Sequence, residues 1–397
     1  MAVPWRSSEF HVILSSTLMG IMGVALLGPV LPTLKDVFAV SDARVGLVLT
    51  AYTLPGIVLA PFVGLVADRI GRKRVLVPLL VLYGVAGAGS ATVETFDQLL
   101  FFRLLQGVGA SSLITLAVTL IGDYYDGIRR DEIVSMNSSA IGIGAAIFPT
   151  LGGTLVVVHW TAPFVFFGVA ILVALLAVVS LEEPSTDRAM ALPTYLKQLG
   201  SVVRNRKVLG MYGAALATYV LFYGGVLTAI PLVLDDTYGL SAPRIGVLLA
   251  VASVASAAVA SQNSRLGTRF SVTTLLGTGF LAFGVAFLGI WQTDSVPVVG
   301  SMLFLFGGGL GLMTPSIDRT LVGAVSSAQR ASVMGMTSSM IWLGQTIGPA
   351  LFPLLATDVF GQAGGYSFLF LVFGSATVLG GVVTITAAHT NLFYSNN

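Results

Sequence analysis

Apolar residues in this chain run in blocks of about 20, each closed by a polar break. A helix rising 1.5 Å per residue needs about that length to cross a hydrocarbon layer of about 30 Å. Twelve spans are predicted, at residues 10–34, 44–66, 75–94, 98–122, 132–157, 162–182, 206–233, 242–262, 271–292, 297–321, 331–357 and 365–389, about 33 residues apiece over the 397. The longest polar break, Glu182 to Lys207, contains Pro184, Pro193 and eight charged side chains. The organisation read from it is a six-helix bundle over 1–182, a linker over 183–205 and a second six-helix bundle over 206–397. The expected fold class is all-α and integral to the membrane, twelve helices in two pseudo-symmetric bundles.

The two halves repeat. RDEIVSMNSSAIGIGAAIFP at Arg130–Pro149 aligns without gaps on RASVMGMTSSMIWLGQTIGP at Arg330–Pro349, with eight of twenty pairs identical at an offset of 200. The same offset places SDARVGLVL at Ser41 on SAPRIGVLL at Ser241, so span 2 answers to span 8 and span 5 to span 11. Six spans per half is even, which makes the repeats parallel and relates them by an axis along the membrane normal, an arrangement common among transporters.

Composition excludes most other readings. Hydrophobic residues make up 55% and charged residues 10%, with a mean hydropathy of +0.91, against about 25% charged in a soluble domain. A net charge of +2 gives no field to attract nucleic acid. There is no Cys, and the three His (His11, His159, His389) are scattered, so thiolate chemistry and a zinc cluster are absent. No P-loop and no Ser/His/Asp set at usable depth argues for an enzyme. Positive charge is retained on the cytoplasmic side, and sixteen of the twenty Lys and Arg fall in one alternate set of breaks: Arg6, Arg69, Arg72, Lys73, Arg74, Arg129, Arg130, Arg188, Lys197, Arg204, Arg206, Lys207, Arg265, Arg269, Arg319 and Arg330. Asp36, Asp42, Asp97, Asp235, Asp236, Asp294 and Asp358 fall in the other set. Both termini are therefore expected in the cytoplasm, with the first span retained, since it is too long for a signal-peptide core.

GLVADRIGRKR, between spans 2 and 3, carries Gly64, Asp68, Arg69, Gly71, Arg72 and Lys73. Bottom-up, Gly71 permits a tight turn, the basic cluster anchors the loop inside, and Asp68 supplies one anion at a helix end. The spacing resembles the signature loop of the major facilitator superfamily, G-x-x-x-D-[RK]-x-G-[RK]-[RK], at every defined position. That resemblance implies a twelve-span secondary transporter working by alternating access, whose Asp68 docks near the start of span 11, around Ala328 to Ser332, and locks the cytoplasmic gate; a purely topological anchor is the alternative. FFRLLQGVGAS in span 4 is similar to a second family motif through Arg103, Gln106 and Gly107. Arg103 is the sole Lys or Arg well inside a predicted span, which makes it a functional candidate unless it snorkels to the outer interface. Span 5 ends GIGAAIFPTLGG, where Gly144, Pro149, Gly152 and Gly153 resemble the antiporter motif of drug:proton carriers, with Phe148 in place of the Gly before Pro; Gly344, Gly348 and Pro349 restore that pattern in the second half. Such Gly and Pro sets equally serve close helix packing. LLGPVLP in span 1 and TPSIDR in span 10 add to the likeness to multidrug-type exporters.

Family analogy places a cavity among spans 1, 2, 4, 5, 7, 8, 10 and 11, with Tyr52, Asn137, Tyr219, Tyr223, Trp342 and Gln345 as its lining. These groups point to an amphipathic or aromatic cargo. A coupling proton needs a buried carboxylate, and Asp318 in span 10 is the candidate, the alternative being a solvated charge beside the gate. The expected function is proton-coupled efflux of drug-like molecules from the plasma membrane, by a monomer with no cofactor other than the proton; import or facilitated passage of a single metabolite is the alternative.

Overall fold

The computed structural model describes residues 7–183, 192–202, 204–326, 329–361 and 364–389. Arg6, Pro184, Asp187, Arg188 and Ala328, which entered the sequence reading, lie outside them. Among the described residues there is no strand, and twelve helices are long and apolar enough to cross a membrane: Ser8–Val37, Asp42–Ile70, Arg72–Thr92, Phe96–Tyr124, Gly127–Val158, Ala162–Ser180, Arg206–Asp236, Ala242–Arg269, Val272–Trp291, Val296–Gly323, Arg330–Val359 and Gly365–Thr386, here spans 1 to 12.

Local chemistry fixes where several of these start. A helix leaves its first amides without partners, and Ser7, Ser41, Asn205 and Ser271 each accept one or two of them at the heads of spans 1, 2, 7 and 9. Thr95 and Gln98 form a reciprocal capping box at the head of span 4. Spans 1 and 7 are irregular at matching depth. Gly28–Val30 in span 1 forms a short 3-10 turn, and Leu221–Ala229 in span 7 is π-helical ahead of Pro231. Such irregular turns concentrate at functional positions.

The halves meet along two seams, span 2 against span 11 and span 5 against span 8. On the first, a Cβ on Gly46 would lie 2.2 Å from the Pro349 carbonyl oxygen; on the second, a Cβ on Gly246 would lie 2.3 Å from that of Pro149. These four residues are two pairs at the 200-residue offset, so each half presents its glycine to the other half's proline. The two cores differ in kind. The second half is filled by stacked rings, with Phe283 on Phe306 at 3.7 Å and Phe352 on Phe373 at 4.6 Å between centroids, whereas the first half is organised around a buried arginine. Val158, Val179, Leu172 and Leu379 point outward, as lipid-facing side chains do.

Spans 6 and 7 are joined through a helix the sequence had left as linker, Leu192–Val202. It lies against the start of span 11. Ser332 donates to Gln198 Oε1 at 2.8 Å, Gln329 Nε2 donates to Ser201 at 3.0 Å, and the Tyr195 ring packs on Phe62 of span 2. Tyr195 is thus a wedge between the ends of spans 2 and 11, buried to 3% exposure, its hydroxyl close over Gly335.

Candidate functional site

One end of the bundle carries Arg69, Arg72 and Lys73 (the basic face), and the other carries Lys35, Asp42 and Asp236 (the acidic face). At the acidic face the halves are sealed. Lys35 Nζ bridges Asp42 and Asp236, each at 2.9 Å, joining spans 1, 2 and 7, and the Tyr366 hydroxyl of span 12 donates to Asp42 at 3.0 Å. Gly153 packs on the Ala242 carbonyl and Gly28 on that of Leu227. Beside this seal, the Tyr238 hydroxyl donates to the Thr293 carbonyl at 2.6 Å; burial, and then the charge of Asp294, hold its phenol above the ordinary value.

Midway through the bundle the span 2 to span 11 seam is closed by hydroxyls. Thr50 donates to the Thr346 carbonyl at 3.0 Å, Thr346 to the Thr53 hydroxyl at 2.9 Å, and Ser339 to the Ile57 carbonyl at 3.1 Å. Thr53 also lies within 3.0 Å of the Leu49 carbonyl on its own helix, and Thr346 within 2.8 Å of Trp342's. Trp342 lies against Gly56, where any side chain would strike its indole. On span 7 stand Tyr219 and Tyr223, their rings 6.2 Å apart, with Gly344 of span 11 against Tyr219. Asp318 is half-buried in span 10. Gln345 is half-buried on the same stretch of span 11. Tyr219, Tyr223, Asp318, Trp342 and Gln345 thus all belong to spans 7, 10 and 11 of the second half, with Tyr219 packed on Gly344 of span 11.

Arg103, Gln106 and Tyr52 form a separate group within the first half. Arg103 is fully buried; it donates to the carbonyls of Gly23 (2.8 Å) and Val48 (3.2 Å) and to Gln106 Oε1 (2.5 Å), and its guanidinium lies 4.3 Å from the centre of the Tyr52 ring. It ties spans 1, 2 and 4 together and does not snorkel. Tyr52, buried beneath it, is also 6.3 Å from the Trp342 ring, so one phenol joins this core to the seam. Its hydroxyl, that of Tyr83 and Gln106 Nε2 find no hydrogen-bond partner among the described residues. Asn137 stands apart. It accepts from Thr17 at 2.7 Å, sealed between spans 1 and 5.

At the basic face the signature loop knots the first half. Gly71 has φ 114°, a backbone that suits glycine. Asp68 pairs with Arg72, whose Nε also donates to Asp123 of span 4 at 3.0 Å. Lys73 Nζ donates to the Val178 and Leu181 carbonyls at the end of span 6, and Glu183 accepts from the amides of Lys73 and Arg74. Among the described residues Asp68 makes no bond to span 11, whose start is occupied by the linker helix; nothing stands within 4 Å of a Cβ on Gly64. Span 5 meets span 8 as far as Gly142 and Ala257, and below them Val134, Ser135, Ser138, Ser261 and Gln262 are exposed. The halves are sealed at the acidic face, and towards the basic face side chains of spans 5 and 8 are exposed. Sequence reasoning missed Tyr83, Thr53, Thr346 and Tyr195, since none carries a charge and Thr346, inside the Gly344 to Pro349 motif, is not one of its defining positions.

A two-seam bundle with matching halves and a signature loop of this geometry is what a known sequence family would display, and the pattern defining the Major Facilitator Superfamily matches residues 13–235 and 213–391. The chain belongs to that superfamily. Among curated relatives, the bacillibactin exporter of Bacillus subtilis (strain 168) is 27% identical over 85% of this chain and 87% of its own length. The multidrug efflux protein YfmO of the same organism is 28% identical over 84% and 83%, and the class B tetracycline resistance protein of Escherichia coli 25% identical over 88% of each. In fold it is similar to a bacterial homolog of the human lysosomal transporter Spinster in an inward-facing and unoccupied conformation (TM-score 0.75, 18% identity, 97% of this chain and 96% of that one) and to the D-xylose-proton symporter (TM-score 0.75, 18%, 95% and 96%). This superfamily member is accordingly a multi-pass membrane transporter of small molecules, and not an enzyme.

Proposed function

We propose that the chain exports small amphipathic, aromatic compounds from the cytoplasm in exchange for protons, with its basic face in the cytoplasm and the described arrangement inward-facing. The observation that carries this is the grouping of Tyr219, Tyr223 and Trp342 with one half-buried carboxylate, Asp318, on the side of the pathway open to the basic face. Aromatic faces receive flat apolar molecules of varied shape. A carboxylate in so apolar a span is costly while charged, so it takes up a proton on one side and yields it on the other, competing with cargo. Curated relatives named as multidrug, tetracycline and bacillibactin exporters support export over import, and Lys and Arg on one face support the orientation. Membrane insertion in the plasma membrane and action as a monomer complete the reading.

The test is proton flux in proteoliposomes under an imposed pH gradient, read with an interior dye while lipophilic cations, neutral drugs and small acids are added in turn. Proton movement triggered by several compounds, lost in Asp318→Asn, is the expected result. Asp68→Asn, which removes the loop carboxylate, is expected to abolish transport with insertion intact. Proton-independent counterflow of one metabolite would overturn the export reading, and pH-driven transport surviving in Asp318→Asn would remove that residue as the carrier.

A further inference from the structure

The acidic face holds a cavity of about 420 Å3, beside the seal between the halves. Lys35, Ser41 and Asp42 come to it from the first half, and the rest of its wall, including Asp236, Tyr238, Trp291, Asp294 and Tyr366, comes from the second. Its three carboxylates face one ammonium, and that ammonium is already shared between Asp42 and Asp236. Asp294 is exposed, with no ion pair among the described residues. Asp36 and Asp235 stand close enough to add to the negative field. Such a field repels anions and concentrates cations. The indole of Trp291 and the phenols of Tyr238 and Tyr366 supply ring faces of the kind that hold organic ammonium groups, and the volume suits a ligand of drug size.

We propose that this cavity is a binding site for an organic monocation bearing an aromatic group, entered from the acidic face. Its occupant touches both halves only while the seal between them is closed. Binding therefore stabilises the arrangement open at the basic face and slows its conversion, because a ligand shifts a conformational balance only by binding one state better. That the site faces the cell exterior rests on the orientation proposed above; the binding itself does not.

The test uses the full-length protein in lipid nanodiscs and equilibrium dialysis of labelled benzyltrimethylammonium, with p-toluenesulfonate as an anion of similar size. Saturable binding that p-toluenesulfonate leaves untouched is expected, weakened about tenfold in Asp294→Asn and in Trp291→Ala, and Trp342→Ala, on the transport pathway, leaves the component lost in those two variants in place. Absence of saturable binding, or binding as tight as the wild type's in both cavity variants, overturns the proposal. So does loss in Trp342→Ala alone, which would put the cation in the pathway. If Trp291→Ala fails to give a monodisperse protein, Asp294→Asn decides, since that carboxylate makes no ion pair among the described residues. Binding is read without transport, so a failed export assay leaves this result standing.

Discussion

Arg103 shows how one residue sets the character of a half. Its guanidinium is buried with no carboxylate bonded to it, and the burden of its charge is shared by two backbone carbonyls, an amide oxygen and a ring face. Charge-assisted bonds of this kind contribute more than neutral ones, and their loss leaves the Gly23 and Val48 carbonyls bare in the core. Arg103→Met is expected to destabilise the protein by about 2–4 kcal/mol, seen as a lower midpoint in thermal unfolding in detergent. Arg103→Lys is expected to recover less than half of that, because a single ammonium cannot span the three acceptors. The sequence flagged Arg103 and Gln106 through their motif, and Tyr52 as a lining residue. It could not show that the three form one group, since two of the arginine's partners are main-chain atoms that leave no trace in residue identity, and Tyr52 fits only because Gly23 leaves room for its hydroxyl.

Among elements, the crossed glycine and proline pairs and the linker helix decide how the halves can lie. Gly46→Val or Gly246→Val forces a side chain against a carbonyl across the seam. Overpacking of this sort costs about 1–3 kcal/mol, enough to move a two-state balance about tenfold, and either variant is expected to open the acidic face. A single cysteine placed at buried Val30 in this cysteine-free chain reports it, by faster reaction with an impermeant maleimide. The linker helix works at the other end. With Tyr195 inserted, the ends of spans 2 and 11 stay apart; with Tyr195→Ala, spin labels at Gly64→Cys and Ala331→Cys are expected to draw closer, while Tyr195→Phe leaves them unchanged because the hydroxyl has no hydrogen-bond partner among the described residues. Burial raises the Tyr195 phenol. Its docking is therefore complete at neutral pH, where it is uncharged in both states, and is lost only as pH climbs through that raised value. The repeat at an offset of 200 was legible and the crossed pairs follow from it. The linker helix was not, because Leu192, Tyr195, Leu199 and Val202 make only three short turns among charges and prolines.

For the whole molecule, the closed acidic face depends on a small number of contacts between bundles that are otherwise complete in themselves. Lys35 at 24% and Asp236 at 46% side-chain exposure form a solvated pair of about 0–1 kcal/mol. Lys35→Ala is thus expected to shift the conformational balance no more than about fivefold, measured by the same maleimide reaction, with the wild-type protein moving the same way as salt is raised. The twelve spans and the shared ancestry of the halves could be read from hydrophobic runs and one loop; which face is shut could not, because it depends on contacts between residues some 200 positions apart, each ordinary in itself. The hydroxyls between spans 2 and 11 bear on how that face parts. Thr53 and Thr346 reach across the seam, yet each already has a carbonyl of its own helix within bonding distance. When the helices slide or separate, neither hydroxyl is stranded in hydrocarbon, because it falls back on its own helix. The seam behaves as a lubricated bearing: it grips at rest and yields with little friction.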